Sequence, residues 1–382
     1  LRNGFQQLLP ENTNPSLLFT QRTRLRFTYQ QENLRWVITP QDVRLWGDEK
    51  NHSTAGNLGD EASLDLHEAF IELKMKSNLG IMAGRLELSY DNEWLLGQRN
   101  WNQSGAASDA LLIKYAANQW NVHAALSWNT LKESLSDNFY PTDRYKTLAF
   151  LWLNHTIHTH HSLSWIFIGT GQTLSDTVNN LHFRYTTGVF YRMSGSNLSG
   201  DANFYYQLGK NLAGQKVSAF LGAGNLIYNG EKLKPGIGFT VSSGNKNPGK
   251  GTDHVFDLIY SARHKFLGNM DYFRNLSAHV RQAGIIDTYL SLSWSATPRL
   301  TFTNSLHNFR LMVNNPSVTG TKQLAIENDL ILKYKIAEWG AIEYGLLWLT
   351  PSSTLKQIQQ VTEPATPLFT YLMLTINTRV LP

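Results

Sequence analysis

The chain has 382 residues, no cysteine, 16% charged side chains and a formal net charge of +5. It contains no run of about 18 apolar residues, which excludes a transmembrane helix. Its basic residues form no block, which argues against a nucleic-acid partner. The absence of cysteine is typical of a bacterial envelope protein, in which an unpaired thiol is a liability. We expect that a signal peptide has been removed ahead of Leu1.

The first predicted element, residues 20–29, has two unlike faces. Arg22, Arg24 and Arg26 share one face, whereas the positions between them become apolar and aromatic from Leu25 onward. Strict alternation predicts a β-strand. A charged face opposite an oily face suits a strand between water and lipid, with the charged side chains pointing into the lumen of a barrel.

Strand-like runs continue from there to the end of the chain without a linker. Tryptophan and tyrosine recur at their ends, as the aromatic girdles of a membrane barrel require. We therefore predict a single β-barrel domain over residues 1–382. The further runs are 35–46, 64–74, 81–90, 109–115, 120–129, 145–154, 162–169, 181–191, 202–209, 216–225, 233–242, 284–295, 299–310, 325–335, 340–349 and 368–379.

The connections between these runs alternate in length, which is the signature of an outer-membrane barrel with short periplasmic turns and long extracellular loops. The alternation gives seventeen strands from residue 17 onward, and an even, closed barrel needs one more at residues 2–10. We predict about 18 antiparallel strands, with 16 as the alternative. The long segment 243–283 is expected to be an extracellular or inward-folding loop. The other long connections are 47–62, 91–104, 130–143, 172–179, 311–324 and 351–366.

Ten charged residues on the predicted lumen face define a candidate solute path. In one interpretation they attract an anion, because fixed guanidinium groups lower its free energy inside a pore and bind carboxylates bidentately. In the other they brace the wall by neutralising one another, because buried charges are nearly always paired. The residues are Arg22, Arg24, Arg26, Arg44, Arg85, Lys114, Asp42, Glu68, Glu72 and Glu87.

Several stretches, taken in order, resemble the alginate-export family of outer-membrane β-barrels, especially its Bacteroidota branch. The resemblance implies a monomeric barrel of 18 strands. It also implies an arginine-rich lumen with interspersed acids, which in exporting members passes a polyuronate. The matching stretches are 21–25 (QRTRL), 41–48 (QDVRLWGD), 67–70 (HEAF), 84–91 (GRLELSYD), 96–97 with 100–101, 108–111 (SDAL) and 264–273 (HKFLGNMDYF). The family's charged pattern carries over to Arg22, Arg24, Arg44 and Arg85, with Asp42, Glu68 and Glu87.

Catalytic and metal sites are not expected. No serine, histidine and aspartate combination lies in a recognisable motif, so we predict that the protein is not an enzyme and needs no cofactor. His155, His158, His160 and His161 cluster at one predicted turn, but they have no nearby carboxylate or cysteine, and hydrated turn residues are the better interpretation. The glycine-rich segment 244–251 lacks the ending of a phosphate-binding loop.

The sequence thus predicts a porin-like channel in the bacterial outer membrane. It would pass an anionic or polar solute, such as a saccharide, through an arginine-lined, mixed-charge lumen. The alternative is a plugged barrel that serves as a structural or accessory subunit of a larger outer-membrane complex. The expected partners are accordingly outer-membrane lipid, a saccharide solute in the first case, and other outer-membrane proteins in the second.

Overall fold

The computed structural model describes residues 1–47, 63–76, 78–133, 135–136, 140–175, 178–318 and 320–379. Most of the predicted 47–62 loop, including Asp48 of the family-like stretch, lies outside these residues. So do parts of the predicted connections 130–143, 172–179 and 311–324. In the described part of the chain, twenty strand segments form one sheet, and no helix is long and apolar enough to cross a membrane.

The strand segments alternate along the chain with turns and loops. Two short helices interrupt the long loops, α1 (Leu276–His279) and α2 (Ser353–Gln359). The strands are β1 (Arg2–Gly4), β2 (Leu17–Leu18), β3 (Thr20–Arg24), β4 (Phe27–Gln31), β5 (Leu34–Leu45), β6 (Ser63–Lys76), β7 (Leu79–Leu86), β8 (Ser108–Ala117), β9 (Trp120–Trp128), β10 (Thr147–His158), β11 (His161–Ser175), β12 (Val178–Ser194), β13 (Leu198–Lys210), β14 (Lys216–Tyr228), β15 (Leu233–Ser242), β16 (Ile285–Thr297), β17 (Leu300–Leu311), β18 (Gln323–Ala337), β19 (Gly340–Pro351) and β20 (Leu368–Ile376).

The sheet closes on itself through its two ends. Each strand pairs antiparallel with the next, and β1 joins β20 on one side to β2 on the other. The segments β2, β3 and β4 follow one another along a single stave, meaning one crossing of the wall, and both β3 and β4 pair with β5. The twenty segments therefore make eighteen staves, the number that the loop rhythm predicts. The closing contact is short: β1 pairs with three residues of β20 and two of β2, and in the described chain β3 and β4 pair only with β5.

The outer surface of the barrel is apolar. Large side chains that face outward along the strands stay exposed, among them Phe27, Tyr29, Ile71, Leu290 and Leu374. In a soluble sheet such a face would need another layer of protein. Here the bilayer covers it.

The hydrophobic core lies inside the barrel rather than between two sheets. Inward-facing wall residues such as Val37, Phe70 and Leu221 are buried together with Phe256 and Met270 from the long 243–284 connection. Loop residues therefore fold into the lumen and supply half of the packing that the wall side chains need.

Glycine lies opposite an inward-facing tyrosine at three places in the register of the described strands. Gly188 is paired with Tyr205, Gly238 with Tyr289, and Gly345 with Tyr371. A Cβ atom at Gly345 would lie 2.1 Å from Cε1 of the Tyr371 ring. Each ring therefore occupies the space that a side chain on the neighbouring strand would need, a known way of fixing register between strands.

Candidate solute path

Two inward-folded connections meet in the lumen and form one unit. The first is the 87–107 connection after β7, and the second is the 243–284 connection after β15. Leu96 and Tyr260 form a parallel β-bridge, and the Tyr260 N–H donates to the Leu95 carbonyl at 3.0 Å. The Arg99 side chain donates to the carbonyls of Ile259 and Ser261, both at 3.0 Å. We call this paired structure the lumen unit.

Side chains strengthen the lumen unit. Trp94 stacks on Phe266 with ring centroids 3.8 Å apart. The buried carboxylate of Glu93 accepts hydrogen bonds from Lys265 and, at 2.6 Å, from the Ser89 hydroxyl. Burial by itself raises the pKa of Glu93, but the hydrogen bonds from Lys265 and Ser89 outweigh it and hold that pKa below its usual value. The two connections are thus joined by backbone, stacking and charge together.

Two cavities lie on either side of the lumen unit. The outer cavity, of about 510 Å³, opens at the long-loop end of the barrel and is lined by Asn211, Gln215 and Gln282 among others. The inner cavity, of about 540 Å³, reaches toward the short-turn end along Thr375 of β20. Both cavities are lined by the side chains of Arg263 and Arg274. These two guanidinium groups therefore mark the place where the cavities adjoin.

Arginines around the inner cavity have no carboxylate partner. Arg22 donates to Asn100 and to the Gln103 carbonyl, and Arg263 donates to the Ile259 carbonyl. Together with Arg99 and Arg274, they form no ion pair among the described residues. Burial lowers the pKa of Arg99 from its usual value, and the neighbouring Arg263 adds to the effect. These four guanidinium groups are therefore not ion-paired within the described chain, although the negative charges of Glu87 and Asp257 act on Arg22 and Arg99 from a longer distance.

The wall arginines predicted from the sequence are in a different situation, because acids lie beside them. Arg26 is ion-paired with Glu68. Arg24 lies 3.6 Å from Glu87 and also donates to Gln41 at 2.9 Å. The Glu87 carboxylate in addition contacts the buried ring of His67 at 2.6 Å. This part of the wall is a mixed-charge network in which the cations are largely balanced.

Glu72 and Lys114 extend this network along the wall. Glu72 contacts Arg35 at 2.6 Å. Of this pair, Glu72 was predicted from the sequence and Arg35 was not. The Glu72 carboxylate also lies close to Gly80, and Gly80 is directly opposite Lys114 in the strand register. Both Glu72 and Lys114 therefore lie on the inner face, next to Arg35.

Asp42 and Arg44 lie elsewhere, contrary to the prediction that they line the lumen. On β5 the buried, inward residue is Gln41, and Asp42 is opposite Leu64, which is 78% exposed. Asp42 and Arg44 pair with each other at 2.8 Å. These residues occupy the outward face near the long-loop end, where a strand can project beyond the apolar band and carry charge on both faces.

Arg85 lies at the end of β7, at the margin between wall and lumen. It alternates with the buried residues Met82 and Leu86, and its guanidinium lies 3.5 Å from the exposed Asp109 carboxylate across the register. It also lines a third cavity, of about 330 Å³, together with Arg99 and Tyr260 of the lumen unit. The sequence pattern had assigned the charged face of this strand to the lumen. In the structure the apolar side chains point inward instead, because the lumen unit packs against them.

The loop arginines were missed by the sequence pattern. Arg99, Arg263 and Arg274 lie in irregular segments, where no periodicity marks the direction of a side chain. The useful signal was the length of the 243–283 segment, which is too long for a simple connector. The predicted turn histidines do lie at the β10–β11 turn, and no group of three potential metal ligands occurs among the described residues.

Solved structures with the same fold are outer-membrane barrels. OccAB1 of Acinetobacter baumannii matches with a TM-score of 0.66 at 12% identity, covering 100% of this chain and 95% of that chain. OccK11 (OpdR) of Pseudomonas aeruginosa has a TM-score of 0.63 at 12% identity, covering 98% and 93%. OccK8 (OprE) of the same organism has a TM-score of 0.63 at 10% identity, covering 100% and 97%. At these identities the likeness concerns the fold.

Sequence comparison then identifies the family. A search of curated proteins finds none that matches, but the alginate export family profile matches residues 9–331. Together with the barrel neighbours, this match indicates a porin-like channel of the outer membrane rather than an enzyme, as the sequence predicts. The chain belongs to the alginate export family of outer-membrane β-barrels.

Proposed function

We propose that the protein is a passive channel for an anionic solute, such as a saccharide that carries carboxylate groups. The observation that carries the proposal is the inner cavity, where Arg22, Arg99, Arg263 and Arg274 converge without an ion pair among the described residues, beside one carboxylate, Asp271, which contacts His264. The path runs from the outer cavity past Arg263 and Arg274 into the inner cavity and then along the balanced wall at Arg24 and Arg26.

Elementary electrostatics supports an anion here. Fixed cations at a narrow point, surrounded by protein of low dielectric constant, lower the free energy of an anion and raise that of a cation. Guanidinium groups also match carboxylates geometrically and can bind them through two parallel hydrogen bonds. The inner cavity, at about 540 Å³, is within the range of small-molecule sites. Hydroxyl groups of a saccharide would find partners in Asn100 and Asn102 along its lining.

One observation favours the alternative, a plugged barrel in a larger assembly. The lumen unit is tightly packed, and Phe256, Met270 and Phe273 within it are buried as deeply as any core residue. A barrel closed in this way would give no conductance and would copurify in fixed proportion with other outer-membrane proteins.

Reversal-potential measurements in planar bilayers test the proposal. We expect the wild-type protein to conduct and to prefer chloride over potassium across a salt gradient. The double variant Arg263→Gln/Arg274→Gln should lose most of this preference, because it removes the two cations shared by both cavities. Arg44→Gln is the matched control, since it removes the same charge from the outward face and should leave selectivity unchanged.

The possible outcomes separate the two functions. Cation preference in the wild-type protein, or equal selectivity in the double variant and the control, contradicts an anion path through the lumen unit. The absence of conductance from folded wild-type protein, together with stoichiometric partners in native membranes, supports the plugged barrel instead.

A further inference from the structure

Residues 268–273 of the lumen unit rest directly on the barrel wall. Met270, Tyr272 and Phe273 are fully buried there, and the Phe273 ring lies 4.5 Å from that of Phe309 on β17. This turn lies between Arg263 and Arg274 in sequence. Its position on the wall therefore determines where the two arginines stand at the junction of the cavities.

Two wall carboxylates accept hydrogen bonds from the backbone of this turn. The Met270 N–H donates to Glu327 Oε1 at 2.8 Å, and the Asn269 N–H donates to Asp329 Oδ2 at 3.0 Å. Glu327 and Asp329 lie two residues apart on β18 and thus share the inward face, where both are fully buried. We call these two carboxylates the loop seat.

Gly268 allows the turn to approach the seat closely. Its φ of +78° lies in the left-handed region, and a Cβ atom there would lie 2.3 Å from the Glu327 carboxylate. Glycine is therefore required on both conformational and steric grounds. The fit between turn and wall leaves no room for a side chain.

The wall behind the seat supports Asp329. The imidazole of His307 on β17 lies between Asp287, at 2.9 Å, and Asp329, at 4.0 Å. Stacking of His307 on Tyr289 and Phe309 fixes the orientation of the ring. Because Glu327 and Asp329 both stand on β18, and the fixed His307 ring lies beside Asp329, the two acceptors have defined positions before the loop docks.

Buried carboxylates in a barrel wall destabilise the folded state relative to apolar side chains of the same volume. Glu327 Oε2 and Asp329 Oδ1 are buried without a hydrogen-bond partner among the described residues, and a buried polar atom without a partner destabilises the folded state. Apolar side chains would fill the same volume without this cost. What the two acids provide that an apolar residue cannot is a pair of acceptors for the loop backbone.

We propose that Glu327 and Asp329 are positioning residues that set the constriction of the channel by seating residues 268–271. The inference rests on the proposed anion path, because it is through Arg263 and Arg274 that a displaced turn would alter permeation. Loss of one acceptor leaves a loop N–H buried without a partner and shifts the ratio of seated to displaced loop by roughly ten- to a hundredfold. A displaced loop should raise conductance and reduce anion preference.

A spin label tests the position of the loop independently of conductance. The chain has no cysteine, so Ala278→Cys gives a single labelling site on the exposed side of α1, directly after the turn, and keeps both junction arginines. In this background we compare Glu327→Leu, which removes the acceptor, with Glu327→Gln, which keeps a carbonyl acceptor of the same shape. Glu343→Leu is the matched control, because Glu343 is an inward acid on β19 that accepts from Tyr371 and not from the loop.

We expect a more mobile label and an altered conductance in Glu327→Leu, and wild-type behaviour in Glu327→Gln and in the control. Gly268→Ala displaces the turn from the loop side and should reproduce the leucine result, which covers the case in which Glu327→Leu does not fold. The proposal is overturned if the label stays immobile in folded Glu327→Leu or Gly268→Ala protein, or if glutamine acts like leucine. If the wild-type channel prefers cations, the anion path is refuted. The role of Glu327 and Asp329 in holding the loop is then tested by the mobility of the spin label alone.

Discussion

Gly345→Ala should destabilise the barrel by forcing a buried tyrosine out of its place. The new Cβ atom would lie 2.1 Å from Tyr371 Cε1 and 2.6 Å from Cζ, far inside van der Waals contact. Tyr371 is only 4% exposed, so its ring has little room to move. Overpacking of this kind costs about 1–3 kcal/mol.

The displaced ring would lose a second interaction. The Tyr371 hydroxyl donates to Glu343 Oε1 at 2.8 Å, and a hydrogen bond to a charged group contributes about 1.5–3 kcal/mol. The total loss in the free energy of unfolding is therefore about 2.5–6 kcal/mol if the hydroxyl can no longer reach. Tyr371→Phe isolates the hydrogen bond and should show only that part of the loss.

Equilibrium unfolding in guanidinium chloride, with the protein in lipid vesicles and tryptophan fluorescence as the signal, measures the difference. Gly222→Ala is the control, because a Cβ atom there would meet its nearest neighbours at 3.8 and 3.9 Å, which is ordinary contact. The double variant Gly345→Ala/Tyr371→Leu should recover part of the loss, since the smaller side chain leaves room for the methyl group. Equal stability of Gly345→Ala and Gly222→Ala would refute the steric argument.

Three further outcomes follow from the charges. Above its lowered pKa, Glu93 is ionised and bound to Lys265, and the stabilisation from this pair is lost as the pH falls through that pKa. Limited proteolysis of the lumen unit should therefore increase in acid. In Glu93→Gln the rate of proteolysis should depend less on pH. Arg26→Met leaves the buried Glu68 carboxylate without its cation and should cost about 3–5 kcal/mol in unfolding experiments. Arg44→Met removes an outward, partly exposed pair and should change stability by less than about 1 kcal/mol in the same assay.

The periodic part of the barrel could be predicted from the sequence. Alternation between faces located the strands, and the rhythm of short and long connections gave eighteen staves. On residues 20–29 the alternation also gave the correct faces, because Arg24 and Arg26 do contact the inward acids Glu87 and Glu68. These features follow from a repeat of two residues, which the chain displays directly.

Charge alone could not assign faces near the ends of the strands. The rule that charge points to the lumen holds only where lipid covers the other face, and at Asp42 and Arg44 the outward face carries charge as well. The register also shifts between Thr39 and Pro40, where the opposing strand has His67 as an extra, buried residue. A shift of this kind exchanges the inward and outward faces of a strand. No residue type in the sequence indicates where such a shift occurs.

The division of the arginines into two groups follows from how each is held. A wall arginine on a strand has neighbours at fixed positions two residues apart and on adjacent strands, so an acid can be placed beside it, as Glu68 is beside Arg26. Arg263 and Arg274 project from an irregular segment, and Arg263 donates to the Ile259 carbonyl, which orients a guanidinium but does not neutralise it. Selectivity should therefore depend on the loop and its seat at Glu327 more than on the wall. A barrel with residues 246–282 removed would keep its balanced wall and become wide and weakly selective.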